Sequence, residues 1–236
     1  MASLLANSIK TGVPQKTFNL PHLSHHIMNL KMIPRDFYDR DPKLVAAELL
    51  GKVLIRDFGD KKAGGIIVET EAYYGMSDPA SRASKGVTKL SKWLWEDAGT
   101  VFVYKVHGHS LLNIITERKG EPSGVLIRAI EPIFGINIMA KNRGLSVVGR
   151  NNRMLTSGPG RLTMALRIGP EHNGLKVYDE NSPIRIYDRG LRVERDKIGR
   201  SHRIGVSMDM DEELRFFVLG NKYVSRYREY GRGYIV

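Results

Sequence analysis

The chain contains no cysteine, so disulfides, thiolate nucleophiles and cysteine-held zinc or iron–sulfur sites are excluded from the start. No uninterrupted apolar run approaches the roughly 20 residues that a membrane-crossing helix needs. Acidic residues are absent from two long stretches, 1–35 and 132–170. The P-loop pattern, HExxH, GxSxG and the kinase signature set are all missing, and the 24 glycines never form GxGxxG after a strand. Zinc-finger, RNA-recognition and basic-zipper patterns are missing too.

What is present is basic. Against 25 Asp and Glu stand 37 Lys and Arg, a formal charge of +12 and a pI near 9.9. Such a balance suits a polyanionic partner, either nucleic acid or an anionic membrane surface, and it also occurs in merely basic cytosolic or ribosome-associated proteins. With 236 residues, 42% of them hydrophobic, the chain can bury a sizeable core. Residues 1–33 read as a disordered arm ahead of one domain over 34–236. His22, His25 and His26 in that arm have no carboxylate or cysteine nearby in sequence, so no metal site is expected.

Local signals divide the domain. Asp41 suits a helix N-cap, Pro42 its first position and Gly51 its C-terminal stop. "KVLIRD" and "GGIIVETEAYY" form an expected hairpin. "KLSKWLWED" predicts a short helix. Strands follow at "TVFVYKVHG" and "SLLNIITER", around a turn at His107–Ser110, and at "GVLIRAIEP". Helices are predicted through "IFGINIMAKN" and "SGPGRLTMALRIG", and late strands at "PIRIYDRG", "HRIGVSM" and "LRFFVLG". Strands adjoin strands more often than they alternate with helices. The fold class is therefore α+β, a single mixed domain around a curved, largely antiparallel sheet.

Three features point to chemistry. In "IVETEAYYG", strand alternation sends Glu69, Glu71 and Tyr73 to one face, and Val68, Thr70, Ala72 and Tyr74 to the other. Tyr104, Asn113 and Arg128 are polar residues inside otherwise apolar strands. Each alone suits a wet face, but together on adjoining strands they suit one pocket. Finally, the acid-free stretch 132–170 carries Lys141, Arg143, Arg150, Arg153, Arg161 and Arg167 among several Asn. A one-sign, Asn-rich loop running into a helix suits phosphate contact.

Taken in order, "LLGKVLIRD", "IVETEAYYG" with "DPASRASKG", "GTVFVYKVHG", "VLIRAIEP", "LTSGPGRL" and the closing "RIGVSM…LRFFVLGNKYVSR" resemble the alkyladenine (3-methyladenine) DNA glycosylases over residues 34–226. The resemblance implies hydrolysis of the N-glycosidic bond of alkylated or deaminated purines flipped out of double-stranded DNA. Candidate bases include 3-methyladenine, hypoxanthine and ethenoadenine. It implies water as nucleophile, no metal or cofactor and no strand cleavage. By motif, Glu71 is the general base, Arg128 holds the water and the glutamate, Tyr73 and Tyr104 stack on the base, and Asn113 lies at the pocket floor. Lys141, Arg143, Arg150, Arg153 and Arg161 become DNA-backbone contacts, and the protein an intracellular, DNA-associated monomer without a membrane partner. Two positions depart from the family. Arg82 replaces a histidine that lines the base pocket, and His107 replaces the tyrosine that wedges into the gap left by the flipped nucleotide, with one residue missing between Gly108 and Asn113. A catalytically silent DNA-binding relative is the alternative that these changes permit.

Overall fold

Alternating apolar strands assemble into a nine-stranded antiparallel sheet, residues 227–228 and 234–235 pair separately, and amphipathic helices cover one face of the large sheet. A computed structural model describes residues 30–146 and 153–225, with the backbone of 227–228 and 234–235. In chain order the elements are β1 (Lys31–Met32), α1 (Arg35–Tyr38), α2 (Pro42–Leu49), β2 (Val53–Asp57), β3 (Lys62–Tyr73), β4 (Val101–Val106), β5 (His109–Thr116), β6 (Ser123–Phe134), α3 (Ile136–Asn142), α4 (Pro159–Leu166), β7 (Ile184–Asp188), β8 (Ile198–Ser201) and β9 (Arg215–Val218). The order across the sheet is β1-β7-β2-β3-β6-β5-β4. One edge of β3 is shared: β2 pairs with residues 62–66 and β9 with Glu69–Glu71, and β8 continues outward from β9. The expected α+β class and antiparallel sheet are both found.

The caps behave as their chemistry dictates. The Asp41 carboxylate accepts from the backbone N–H groups of Lys43 and Leu44 at 2.8 and 3.2 Å, and Pro42 opens α2. Past the helix end Gly51 takes φ +83°, open to glycine at little cost. Val45, Ala46 and Leu49 of α2 and Leu162, Ala165 and Leu166 of α4 bury against a single core. Its sheet side is supplied by alternate strand residues: Val101 and Val103, Leu112 and Ile114, Val125 and Ile127. Each large aliphatic chain so buried contributes about 1.5–3 kcal/mol. The intervening residues Phe102, Tyr104, Asn113, Leu126 and Arg128 therefore face the other way, and that second face carries the site.

Several expectations shift. The sheet begins before residue 34, because Lys31 and Met32 pair with Asp188 and Tyr187 and Ile33 is buried. The arm's earlier residues, 1–29, and Arg150 lie outside the described residues. The β4–β5 turn is shorter than His107–Ser110. Val106 already pairs with His109, leaving His107 (φ +48°) and Gly108 (φ +81°) as a two-residue loop of the type that needs positive φ twice. The helix in "KLSKWLWED" is a tight 3-10 turn over Ser91–Trp95. "HRIGVSM" is no strand. β8 ends at Ser201, and 202–208 form a loop because the Arg203 side chain is drawn to Asp78 and Asp209 while Gly205 adopts φ +75°.

Gly64 and Gly65 start a register shift against β6. A Cβ on Gly65 would stand 2.2 Å from the Glu131 carbonyl oxygen, a backbone atom that cannot step aside alone. Gly65→Ala is expected to lower unfolding free energy by about 1–3 kcal/mol, read from urea melts. A change below about 0.5 kcal/mol, within the ordinary surface range, would contradict this packing account.

Candidate active site

β3 and β6 are out of step where the two glutamates lie, and the irregularity builds the site. Ile67 pairs with Ile130 and Glu69 with Ala129, so Val68 is surplus on β3. Glu69 with Ala129 and Thr70 with Ile127 then leave Arg128 surplus on β6. The two bulges compensate and the register recovers. The simple alternation read from sequence fails at Val68, which the bulge turns onto the Glu69 side, where it packs with Ala129, Phe217 and Tyr223. It holds beyond: the Thr70 hydroxyl donates to Ala46 O of α2 at 2.8 Å, and Ala72 joins the helix-side core, while Glu71 and Tyr73 face away. From Glu71 a row crosses the sheet through Leu126 and Asn113 to Phe102, each directly opposite the next.

Both glutamates are fully buried, yet their surroundings differ. Glu69 accepts four hydrogen bonds. To Oε1 come Arg128 Nε (2.9 Å), Arg215 Nε (2.8 Å) and the Ser225 hydroxyl (2.7 Å), and to Oε2 comes Ser225 N–H (2.7 Å). Burial alone would raise its pKa, but Arg128, Arg215 and Ser225 outweigh that and hold it below its ordinary value of 4.5. Glu71 receives three groups: Ile204 N–H (2.8 Å) and Arg128 Nη1 (3.1 Å) on Oε1, and the Tyr73 hydroxyl (2.8 Å) on Oε2. Burial disfavours the Arg128 cation, but Glu71 and Glu69 more than reverse this, so it stays protonated.

A cleft of about 640 Å³ opens over this face, lined by Tyr73, Arg82, Tyr104, His107, Arg128 and Ile204 among others. A narrow recess shares Tyr73, Arg82 and Tyr104 with it and reaches Asn113 and Gly124. Gly124 lies opposite Tyr73, so no side chain fills the space there. The Asn113 amide group donates to Phe102 O and Leu111 O, both at 3.2 Å, which fixes its orientation. The Arg82 guanidinium lies 4.8 Å from the Tyr104 ring centre, and the Arg203 guanidinium 4.5 Å from that of Tyr73. Burial raises the phenol pKa of Tyr73 and Tyr104, so both are neutral rings at pH 7. His107 is exposed on its hairpin tip at the cleft mouth, and His109, two residues on, packs against Gly160 at the start of α4.

The structure thus brings Glu71, Tyr73, Arg82, Tyr104, His107, Asn113 and Arg128 to one face. Lys141, Arg143 and Arg153 do not line the cleft, and Arg161 adjoins it one residue beyond Gly160. Burial, and to a lesser degree the Arg161 charge, lower the pKa of Arg143. Among the described residues no group of three or more His, Asp or Glu is placed to hold a metal ion. No described helix is long and apolar enough to cross a membrane. Arg203, Ile204, Arg215 and Ser225 were missed from the sequence. The one available signal was an arginine in the apolar run "RIGVSM", where a strand had no need of it.

The family model described as methylpurine-DNA glycosylase matches residues 36–222. A protein of Clostridium perfringens (strain 13 / Type A) is 42% identical over 205 residues, spanning 81% of this chain and 98% of its own. One from Koribacter versatilis is 38% identical over 201 residues (84% and 95%), and one from Aeropyrum pernix 34% over 198 residues (84% and 95%). All three carry one provisional name, 3-methyladenine DNA glycosylase.

Glu69 neutralises two buried arginines, so Glu69→Gln is expected to cost about 3–5 kcal/mol of stability. Glu71→Gln costs less, because Arg128 keeps Glu69. With its pKa below 4.5, Glu69 stabilises the fold above that pH, and the contribution is lost as pH falls through the lower folded value. Denaturant melts of Glu69→Gln should therefore vary less with pH between about 5 and 3 than those of the parent. Equal costs for the two substitutions would refute the assignment.

Proposed function

The chain belongs to the methylpurine-DNA glycosylase family, and from that premise we propose that Glu71 activates the water that releases a damaged purine flipped into the cleft. The protein is a DNA glycosylase, a hydrolase of base excision repair acting on alkylated bases in DNA. The observation that carries the reading of Glu71 is which groups the two glutamates hold. Each glutamate carries a single donor on Oε2, but all three partners of Glu71, namely Tyr73, Arg128 and Ile204, line the cleft, whereas Arg215 and Ser225 on Glu69 do not.

In the proposed step, water gives a proton to Glu71 as its oxygen bonds the sugar C1′. The C1′–N bond breaks, and its electron pair leaves with the purine. A cationic alkylpurine departs neutral, so one positioned carboxylate suffices, whereas a neutral purine such as hypoxanthine departs as an anion and takes up a proton from solvent as it leaves. That carboxylate also offsets charge developing on the sugar. Arg128 keeps Glu71 fixed and balanced. Tyr73 offers the ring face not covered by Arg203, and Tyr104 a second ring, each stacking contact contributing about 1–3 kcal/mol. Asn113 closes the recess floor against an exocyclic amine. His107, on a two-residue turn, is the wedge that takes the vacated space in the duplex. The cations Arg143 and Arg161, with Lys141, Arg150 and Arg153, hold backbone phosphates. Water is the only co-reactant of this scheme, and the product is an intact strand with an abasic site.

Duplexes bearing one hypoxanthine, ethenoadenine or 3-methyladenine, treated with alkali after incubation, report excision as strand breaks. Glu71→Gln is expected to lower the rate about 10²–10⁴-fold, and Glu69→Gln far less wherever it remains folded. Lesion binding without breaks would identify a silent DNA-binding relative instead. Equal losses in the two variants would show that the wrong acid is assigned.

Arg82 places a permanent positive charge beside the stacking site and cannot accept a hydrogen bond. That environment disfavours cationic 3-methyladenine and 7-methylguanine, and favours neutral hypoxanthine or ethenoadenine. Arg82→His should lower hypoxanthine excision severalfold more than methylpurine excision. A parallel decline for both bases would remove Arg82 as the selector.

A further inference from the structure

We propose that Arg203 is a positioning residue for the hydrolytic step, one guanidinium that pins both walls of the cleft and aims the Ile204 N–H at Glu71. The proposal deepens the reading of Glu71 as the base and rests on it. The Arg203 side chain is wholly buried. Nη1 donates to Asp78 Oδ2 at 2.6 Å and to Ala72 O at 3.1 Å, Nη2 donates to Asp78 Oδ1 at 2.9 Å, and Nε donates to Asp209 Oδ1 at 2.7 Å. Its own backbone N–H donates to Asp209 Oδ2 at 2.9 Å. Burial works against this cation, but Asp78 and Asp209 outweigh it and hold its pKa above the ordinary value.

Each contact fixes a different part of the site. Asp78 also accepts from Tyr74 N–H (3.0 Å) and Ala80 N–H (2.9 Å), so it shapes the loop that leads to Arg82. Asp209 closes the 202–209 loop whose next residue, Ile204, donates to Glu71. Ala72 O lies on β3 between Glu71 and Tyr73, and the guanidinium covers one face of the Tyr73 ring. A bidentate fork plus a separate Nε donor is what arginine supplies and lysine cannot. A residue serving stability alone has no need to touch the strand beside Glu71, the stacking ring and both cleft walls together.

Arg203→Lys keeps the charge and loses the fork. At saturating enzyme, single-turnover excision of hypoxanthine is expected to fall at least about tenfold, while the Kd for the lesion duplex stays within about threefold. The Ile204 amide, followed by hydrogen exchange in the full chain, should exchange at least about tenfold faster while core amides keep their protection. The proposal is overturned by excision within about twofold of the parent, or by an Ile204 amide as protected as before. If Arg203→Lys shows no cooperative melt, Asp209→Asn, at the more exposed end of the network, is put to the same readouts and the same limits. Glu71→Gln, run in parallel, separates the two ideas. Retained excision there sinks the function reading, whereas its loss alongside a parent-like Arg203→Lys sinks the positioning role alone.

Discussion

The ion pairing of Arg128 with both Glu69 and Glu71 is the interaction on which the rest of the site depends. It exists because two strands each carry one surplus residue at the same place. Val68 bulges from β3 and Arg128 from β6, so the arginine stands between the two acids instead of beside one of them. Without that offset, strict alternation would set Arg128 in the ordinary ladder, and its reach to both carboxylates would be lost. The long shared edge of β3 serves the same end. β2 stops short, β9 pairs with Glu69–Glu71, and Arg215 arrives as the second cation on Glu69.

Burying three arginines and as many acids in one region costs desolvation, and replacing such pairs by apolar side chains is often neutral or stabilising. Stability is thus a weak reason for this arrangement, and geometry a better one. Glu69 is held by Arg128, Arg215 and Ser225, away from the cleft, and acts as ballast for the two arginines. Glu71 keeps an acceptor position free beside Tyr73. The division of labour between two acids two residues apart comes from their partners, since both are equally inaccessible.

Much of this was legible in the sequence wherever the cause is local. Asp41, Pro42 and Gly51 announce α2 within a dozen residues, and alternation around Glu71 and Tyr73 places both on the correct face. Tyr104, Asn113 and Arg128 stood out because polar groups inside apolar strands need partners. The failures are non-local. Nothing near Val68 signals a bulge, because its cause is the pairing of β6 across the sheet. "HRIGVSM" has a strand's composition, yet Asp78, 125 residues earlier in sequence, draws Arg203 inward and breaks the ladder. Periodicity registers which residues are apolar, and it is blind to a buried charge whose partner is distant.

The same distinction bears on how the cleft is built. Its floor is sheet, rigid because each strand is paired on both sides where Glu71 and Asn113 sit. Its walls are loops, 74–82 and 202–209, with few ladder bonds of their own. In the proposed reaction a flipped base enters between those walls and is held within a fraction of an ångström of the water, and loops alone do not supply that precision. The wall loops must therefore borrow rigidity from charge. Asp78 and Asp209 cannot be left buried or half-buried without a cation, and a cation that satisfies both can occupy only a narrow range of positions. Arg203 occupies it, and the backbone N–H that follows has little freedom to point anywhere except at Glu71.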